Sequence, residues 1–336
     1  MNAGKALKYI FFIALGLGLL WFAFKDVEWV KIWAKMKETS VWGIAASALL
    51  GYLAVVSRGL RWNLMLAPMG HHPAPMRSVH AVAFSYMTNL LVPRSGEVAR
   101  CAALNQTDDI PVDRLLGTVI TERVVDFVML FLFLAVALAT NYDAFETLID
   151  HYNMESVNPS PSPEPASGWS LGQIVMTVIA AALILAILFR KKLARWFDIR
   201  AYIEKIPEFL KGIGTGIRSV SKLEKRGLFL LHTCFIWACY FFMSYVLFKA
   251  IPSVGEVSVT DALLVMVAGG MGMVVPAPGG IGSYQYFVKL GFMAVGFEAV
   301  DGLAAANVVW LTQSVMLITM GALSYQMLYM YRMNRA

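Results

Sequence analysis

Residues 84–100 read FSYMTNLLVPRSGEVAR, which places Arg94, Glu97 and Arg100 within seven residues, directly after an apolar run and Pro93. A guanidinium matches a phosphate or carboxylate through two parallel hydrogen bonds, so arginines in apolar surroundings suggest anion binding. If a helix starts after Ser95, Glu97 falls in its first turn. The free amides of that turn then face the proline break, where an anion is favoured. Asn89 stands just before the break. The plainer reading is an interfacial loop whose charges neutralise one another.

Two further groups of ionisable residues lie in apolar stretches. Arg58 and Arg61 follow 17 uncharged residues and sit three apart, on one helix face. They suit a phosphate clamp, or simply snorkel to the interface. Glu122 and Asp126 are spaced i, i+4 with Arg123 between them. They would counter Arg58 or Arg94, relay protons, or form a structural ion pair. Charges at membrane depth cost about 2.5–3.5 kcal/mol each on insertion scales, which makes them functional candidates. A late stretch, VVPAPG at 274–279, echoes LVPRSG at 91–96. Here Pro276, Pro278, Gly279, Gly280 and Gly282 predict a tight turn that could offer bare amides to a head group. Ser283 and Gln285 add neutral polar contacts. Asn307, Gln313 and Ser314 suit hydrogen bonds between helices, and His232 suits a satisfied core site. His71, His72 and His80 lack a carboxylate at ligand spacing. No phosphate-binding loop, dinucleotide fingerprint or hydrolase motif occurs, and no cofactor is expected.

The elements that must hold these residues are membrane helices. The chain of 336 residues is 58% hydrophobic and 15% charged, with a mean hydropathy of +0.63; a soluble domain carries roughly 25% charged residues. Charge-free runs occur at 9–24, 171–189, 227–248 and 302–328, and the last three approach or exceed the ~20 residues that cross a bilayer. Full spans are expected at 8–24, 41–66, 117–140, 171–189, 227–250 and 302–328. The first ends without a cleavage site and reads as a retained span. Residues 25–40 read as a short loop whose Trp29 and Trp33, with Trp42 beyond, suit the membrane interface. The three cysteines have no metal or disulfide spacing.

Three apolar segments are too short to cross. Residues 79–92 and the arms 262–275 and 283–296 each hold 14 residues, about 21 Å as a helix. Each is read as part of a re-entrant hairpin, the first over about 79–105 and the second over about 262–296. Such backbone survives at membrane depth inside protein or along a wet cavity. Residues 141–170 carry five acids, no Lys or Arg and a Pro/Ser-rich run, and read as an exposed loop. Residues 190–226 carry eleven Lys and Arg against four acids, with apolar residues at helical spacing. They read as an amphipathic cytoplasmic segment. Both termini are then cytoplasmic. Three spans separate the hairpins, so they enter from opposite faces, as in an inverted-topology repeat. The expected architecture is a single all-α polytopic bundle over 1–336, with about six spans and two opposed hairpins. The net charge of +6 sits in loops and points to anionic lipid, not nucleic acid.

Four stretches in this order carry a family resemblance: RGLRW at 58–62, NLLVPRSGEVAR at 89–100, ERVVD at 122–126 and PAPGGIGSYQ at 276–285. Together they resemble the transmembrane region of bacterial lysylphosphatidylglycerol synthases, a flippase-like family, over nearly the whole chain. The resemblance implies an inner-membrane protein that moves an anionic or aminoacylated lipid, phospholipid or prenyl phosphate, between leaflets. Its polar lining would be Arg58, Asn89, Arg94, Glu97, Arg100, Glu122, Arg123 and Asp126, with Pro278, Gly279 and Gly280 at the second tip. The synthases carry a soluble aminoacyl-transferase domain after this region. The chain stops soon after its last span, so a member without that domain is expected, one that does not make the aminoacyl lipid itself and works beside a partner lipid-synthesis enzyme. Gln285 stands where many members carry an acid, which puts a charge relay there in doubt. The alternatives are an enzyme acting on a lipid phosphate through Glu97, Glu122 or Asp126, and a scaffold for a partner synthase.

Overall fold

A computed structural model describes residues 14, 16–25, 27–92, 94–141, 223–275 and 277–334. The chain divides into one unit of residues 1–146 and 216–336 and another of residues 147–215. The second unit lies outside the described residues, as do the expected span 171–189, nearly all of the loop 141–170 and residues 190–222 of the basic segment. The first unit is helical wherever regular structure is described.

Helix α1 is Trp29–Lys37, α2 is Val41–Leu66, α3 is Pro75–Leu91, α4 is Gly96–Asp108 and α5 is Val112–Thr140. After the undescribed stretch come α6 Arg226–Ala250, α7 Val259–Val274, α8 Ser283–Ala294 and α9 Ala299–Met333. Among the described residues, four helices are long and apolar enough to cross a membrane: α2 with its short extension to Met69, α5, α6 and α9. They match four of the expected spans. Of the first span, residues 14 and 16–24 are described, and they are helical.

One expectation is corrected. Residues 29–37 form α1 rather than a loop. Ile32 on its inner face is fully buried with Ala23, Phe24, Leu303 and Ala304, while Trp29, Val30 and Trp33 stay exposed. Burial of that one face supplies the stability that nine residues lack alone. Lys35 ties the helix to the start of α9 through an ion pair with Asp301. Lys289 of α8 donates to the carbonyl of Ala23 at 3.0 Å, near the end of the first helical stretch.

The short helices form two hairpins. Helices α3 and α4 pack together, and so do α7 and α8. Each pair has its own core. Trp62, Leu66, Val82, Cys101, Leu104 and Leu115 centre the first, and Leu247, Phe248, Val265, Val288 and Phe292 the second. Close approach is possible because glycine stands at the contacts. A Cβ at Gly96 would lie 2.3 Å from the carbonyl oxygen of Ser85, and one at Gly272 2.7 Å from that of Ser283.

Helix α9 orders both hairpins along one axis. Its Gly302 lies against Lys289 and Phe292 of α8. Trp310 bonds the turn of the α7–α8 hairpin. Gly321 lies against Met87, Ser324 bonds His80, and Tyr331 meets the His80 ring. The α7–α8 turn therefore points along α9 towards its C-terminus, and the α3–α4 turn points back towards its N-terminus. They meet where Leu90 lies against Gly279. From Gly302 to Ser324 is 22 residues, about 33 Å of helix, close to the ~30 Å hydrocarbon thickness.

Candidate functional site

A buried ionic cluster joins five helices. Arg58 and Arg61 come from the second half of α2, three residues apart and facing away from water. The pair is 4% and 0% exposed, so neither snorkels. Glu122 and Asp126 meet them from α5, one turn apart. Arg58 Nε contacts Glu122 and its Nη2 contacts Asp126. Arg61 Nη2 donates to Asp126 Oδ1 at 2.9 Å and to Glu122 Oε1 at 3.2 Å. Arg100 of α4 donates to the other oxygen, Glu122 Oε2, at 2.8 Å. Glu122 thus holds three arginines, each from a contact of its own.

Phenols and an indole complete the enclosure. Arg58 Nη1 donates to Tyr86 at 2.7 Å and to Tyr240 at 2.8 Å, and the two hydroxyls lie 3.1 Å apart. Arg61 Nη1 donates to Thr233. The Arg100 guanidinium lies over the Trp62 ring at 4.8 Å, and Trp62 donates to Thr118. Three guanidiniums face two carboxylates, so the cluster carries one positive charge in excess when all five are ionised. Three buried donors also have no hydrogen-bond partner among the described residues: Arg61 Nε, Arg100 Nη2 and Trp237 Nε1. Positive charge and spare donors together match an acceptor-rich anion.

The other expected residues take different places. Glu97 lies in the first turn of α4 as its spacing suggests, and accepts from Arg123 at 2.5 Å near the surface. Its other oxygen is buried without a hydrogen-bond partner among the described residues. Arg94 is separated from the cluster. It occupies the α3–α4 turn at φ 63°, is exposed, and has no polar partner among the described residues. Asn89 is a capping residue: its Oδ1 accepts from the Gly96 amide at 2.7 Å. That bond uses one of the amides expected to face an anion.

At the second turn the expectation of bare amides needs correcting. The amides of Gly280, Ile281 and Gly282 bond to Ala277 O, Pro278 O and Gln285 Oε1. Gly279, Gly280 and Gly282 take positive φ, which glycine adopts without steric cost. Gln285 is thus occupied in closing α8, and Pro278 opens the turn. The Gly279 carbonyl accepts from Trp310 Nε1 at 2.8 Å. Pro93 and Pro276 lie outside the described residues. Among the smaller expectations, Gln313 bonds across to Ser47 and His232 to Ser57, whereas Asn307 bonds its own helix at Leu303. Tyr86, Tyr240 and Trp237 carry no sequence signal, since an aromatic residue in an apolar helix is commonplace. Their neighbours on other helices set their roles.

The family model described as lysylphosphatidylglycerol synthase TM region matches residues 9–321. No curated protein and no solved structure matches the chain.

Proposed function

Because the chain belongs to the family of lysylphosphatidylglycerol synthase TM regions, and is a multi-pass helical membrane protein, we propose that it moves a lipid with an anionic or aminoacylated head group between leaflets. The observation that carries this reading is the buried cluster of Arg58, Arg61 and Arg100 on Glu122 and Asp126, with its excess positive charge and unpartnered donors. It adjoins a hairpin whose turn meets a second hairpin end to end. In this reading both hairpins are re-entrant and opposed, parts of an inverted-topology repeat with about six spans. Arg94 at the first turn receives the head group from water. Arg123 and Glu97 flank the entrance, and the Arg58 cluster binds the phosphate when the helices around it part. The acyl or prenyl tails remain in lipid.

In this reading the protein sits in a bacterial inner membrane with both termini cytoplasmic, and the basic residues near the first hairpin's base and beyond α9 support that orientation. It acts as a carrier and not an enzyme, and a lipid-synthesis enzyme is the natural partner to supply its cargo. The test is leaflet exchange in proteoliposomes with labelled anionic phospholipids, aminoacylated phospholipids and prenyl phosphates. Head-group-selective exchange that is lost in Arg94→Ala is expected. Failure to move any of these lipids, by folded and inserted protein, would overturn the reading; new lipid products in the same samples would establish the enzymatic alternative.

A further inference from the structure

A second feature lies on a different face of α2 from the ionic cluster. An apolar groove of about 690 Å³ opens sideways between α2, α3 and α9. Ile44, Ala48 and Tyr52 form one wall and Val79, Val315 and Leu323 line the rest. Along α9 it runs from Leu311 to Ser324, 13 residues or about 20 Å of helix. One leaflet's hydrocarbon is about 15 Å deep, half of the ~30 Å core. The groove is thus long enough for one acyl chain lying along the bilayer normal. Water has no place at that depth on a lipid-facing surface, so hydrocarbon is the chemistry available to fill it.

The end of the groove near the base of the first hairpin is polar. His80 Nδ1 and Ser324 Oγ lie 3.0 Å apart there. One turn nearer the start of α3, Arg77 lies with its guanidinium 5.4 Å from the centre of the Tyr331 ring. Arg77 Nη1 donates to Asp108 at 2.7 Å, while its Nε is buried with no hydrogen-bond partner among the described residues. Arg332, beside Tyr331, bonds the neutral Gln106. In the contacts described, Arg77 meets the one carboxylate of Asp108 and Arg332 a neutral amide, and with the spare Nε–H the two guanidiniums complement a phosphate at the level where a lipid's chains begin.

We propose that this groove is a phospholipid site, with an acyl chain between α2 and α9 and the phosphate at Arg77. It is separate from the Arg58 cluster and does not depend on lipid being moved. The probe is phosphatidylglycerol with a photoreactive acyl chain, a trace component of phosphatidylcholine nanodiscs that hold the full chain. Crosslinked peptides are mapped by mass spectrometry. Crosslinks should concentrate on α2 residues 44–52 and α9 residues 311–323, above the level at the exposed Phe131 and Leu132 of α5. Ala48→Trp and Thr319→Trp fill the groove from different helices, and each should reduce crosslinking to the α5 level while the melting temperature holds. Arg77→Lys keeps a cation opposite Asp108 and removes the Nε donor. Losing one charged hydrogen bond, about 1.5 kcal/mol, should weaken capture about tenfold. Equal labelling of α5 and α9, or labelling unaltered by both Trp variants, would overturn the site. Capture unchanged in Arg77→Lys would overturn the phosphate's position. A protein that exchanges no lipid should still give these crosslinks, so the outcome is distinguishable from failure of the transport reading.

Discussion

Glu122 and Arg94 separate holding the fold from handling the ligand. Glu122→Gln leaves Arg58, Arg61 and Arg100 with Asp126 as their remaining carboxylate in the cluster. Breaking a buried pair costs about 3–5 kcal/mol because the orphaned charge stays desolvated. A large fall in melting temperature in detergent is expected; a wild-type value would mean the cluster does not hold these helices. Arg94 is exposed and unpartnered among the described residues. Arg94→Ala should change stability by no more than about 0.5 kcal/mol and yet abolish leaflet exchange. Full exchange activity in that variant would remove Arg94 from the path. The sequence marked both residues by the rarity of charge among apolar neighbours, without telling their different roles. Spacing within one helix fixes which residues share a face, not what that face meets.

The hairpin turns raise the same issue at the level of elements. Gly279 has φ 56° and a Cβ there would lie 2.8 Å from Leu90 Cδ2. Gly279→Ala therefore strains its own backbone by about 1–2 kcal/mol and presses on the opposite hairpin. Trp310→Phe removes the indole donor to the Gly279 carbonyl, at a cost of about 1 kcal/mol. Both variants should melt earlier than wild type, and thermal unfolding followed by intrinsic fluorescence measures it. If Gly279→Ala melts as wild type does, the turns do not abut as described. The short arms were legible from hydropathy, and the turns from Pro and Gly. The internal bonding of the second turn's amides was not legible, because it depends on Gln285 folding back onto Gly282.

For the whole molecule, the decisive property is the direction of the two hairpins along α9. Their bases carry His72 and Glu298, both exposed. With the exposed Cys234 replaced by Ser, His72→Cys and Glu298→Cys should react with a membrane-impermeant maleimide from opposite sides of an oriented vesicle. Labelling of both from one side would contradict opposed hairpins. The four described long spans and both short pairs follow from the run lengths of apolar residues, since lipid requires each span to satisfy its own backbone. Residues 29–37 were misread because nine residues with mixed charge give little local helical signal. Docking of Ile32 supplied what was missing.

By itself the sequence determined that this is a helical membrane chain, where its described long helices run, and which charged residues are costly enough to need a reason. Those are local properties: hydropathy over a window, the period of a helix, the conformations open to Pro and Gly. Tertiary structure decided that Arg58, Arg61 and Arg100 share Glu122, that Tyr86 and Tyr240 close over Arg58, and that Arg94 stands apart. Those contacts join residues 22 to 182 positions apart. Their geometry is set by how helices pack, and no spacing along the chain encodes it.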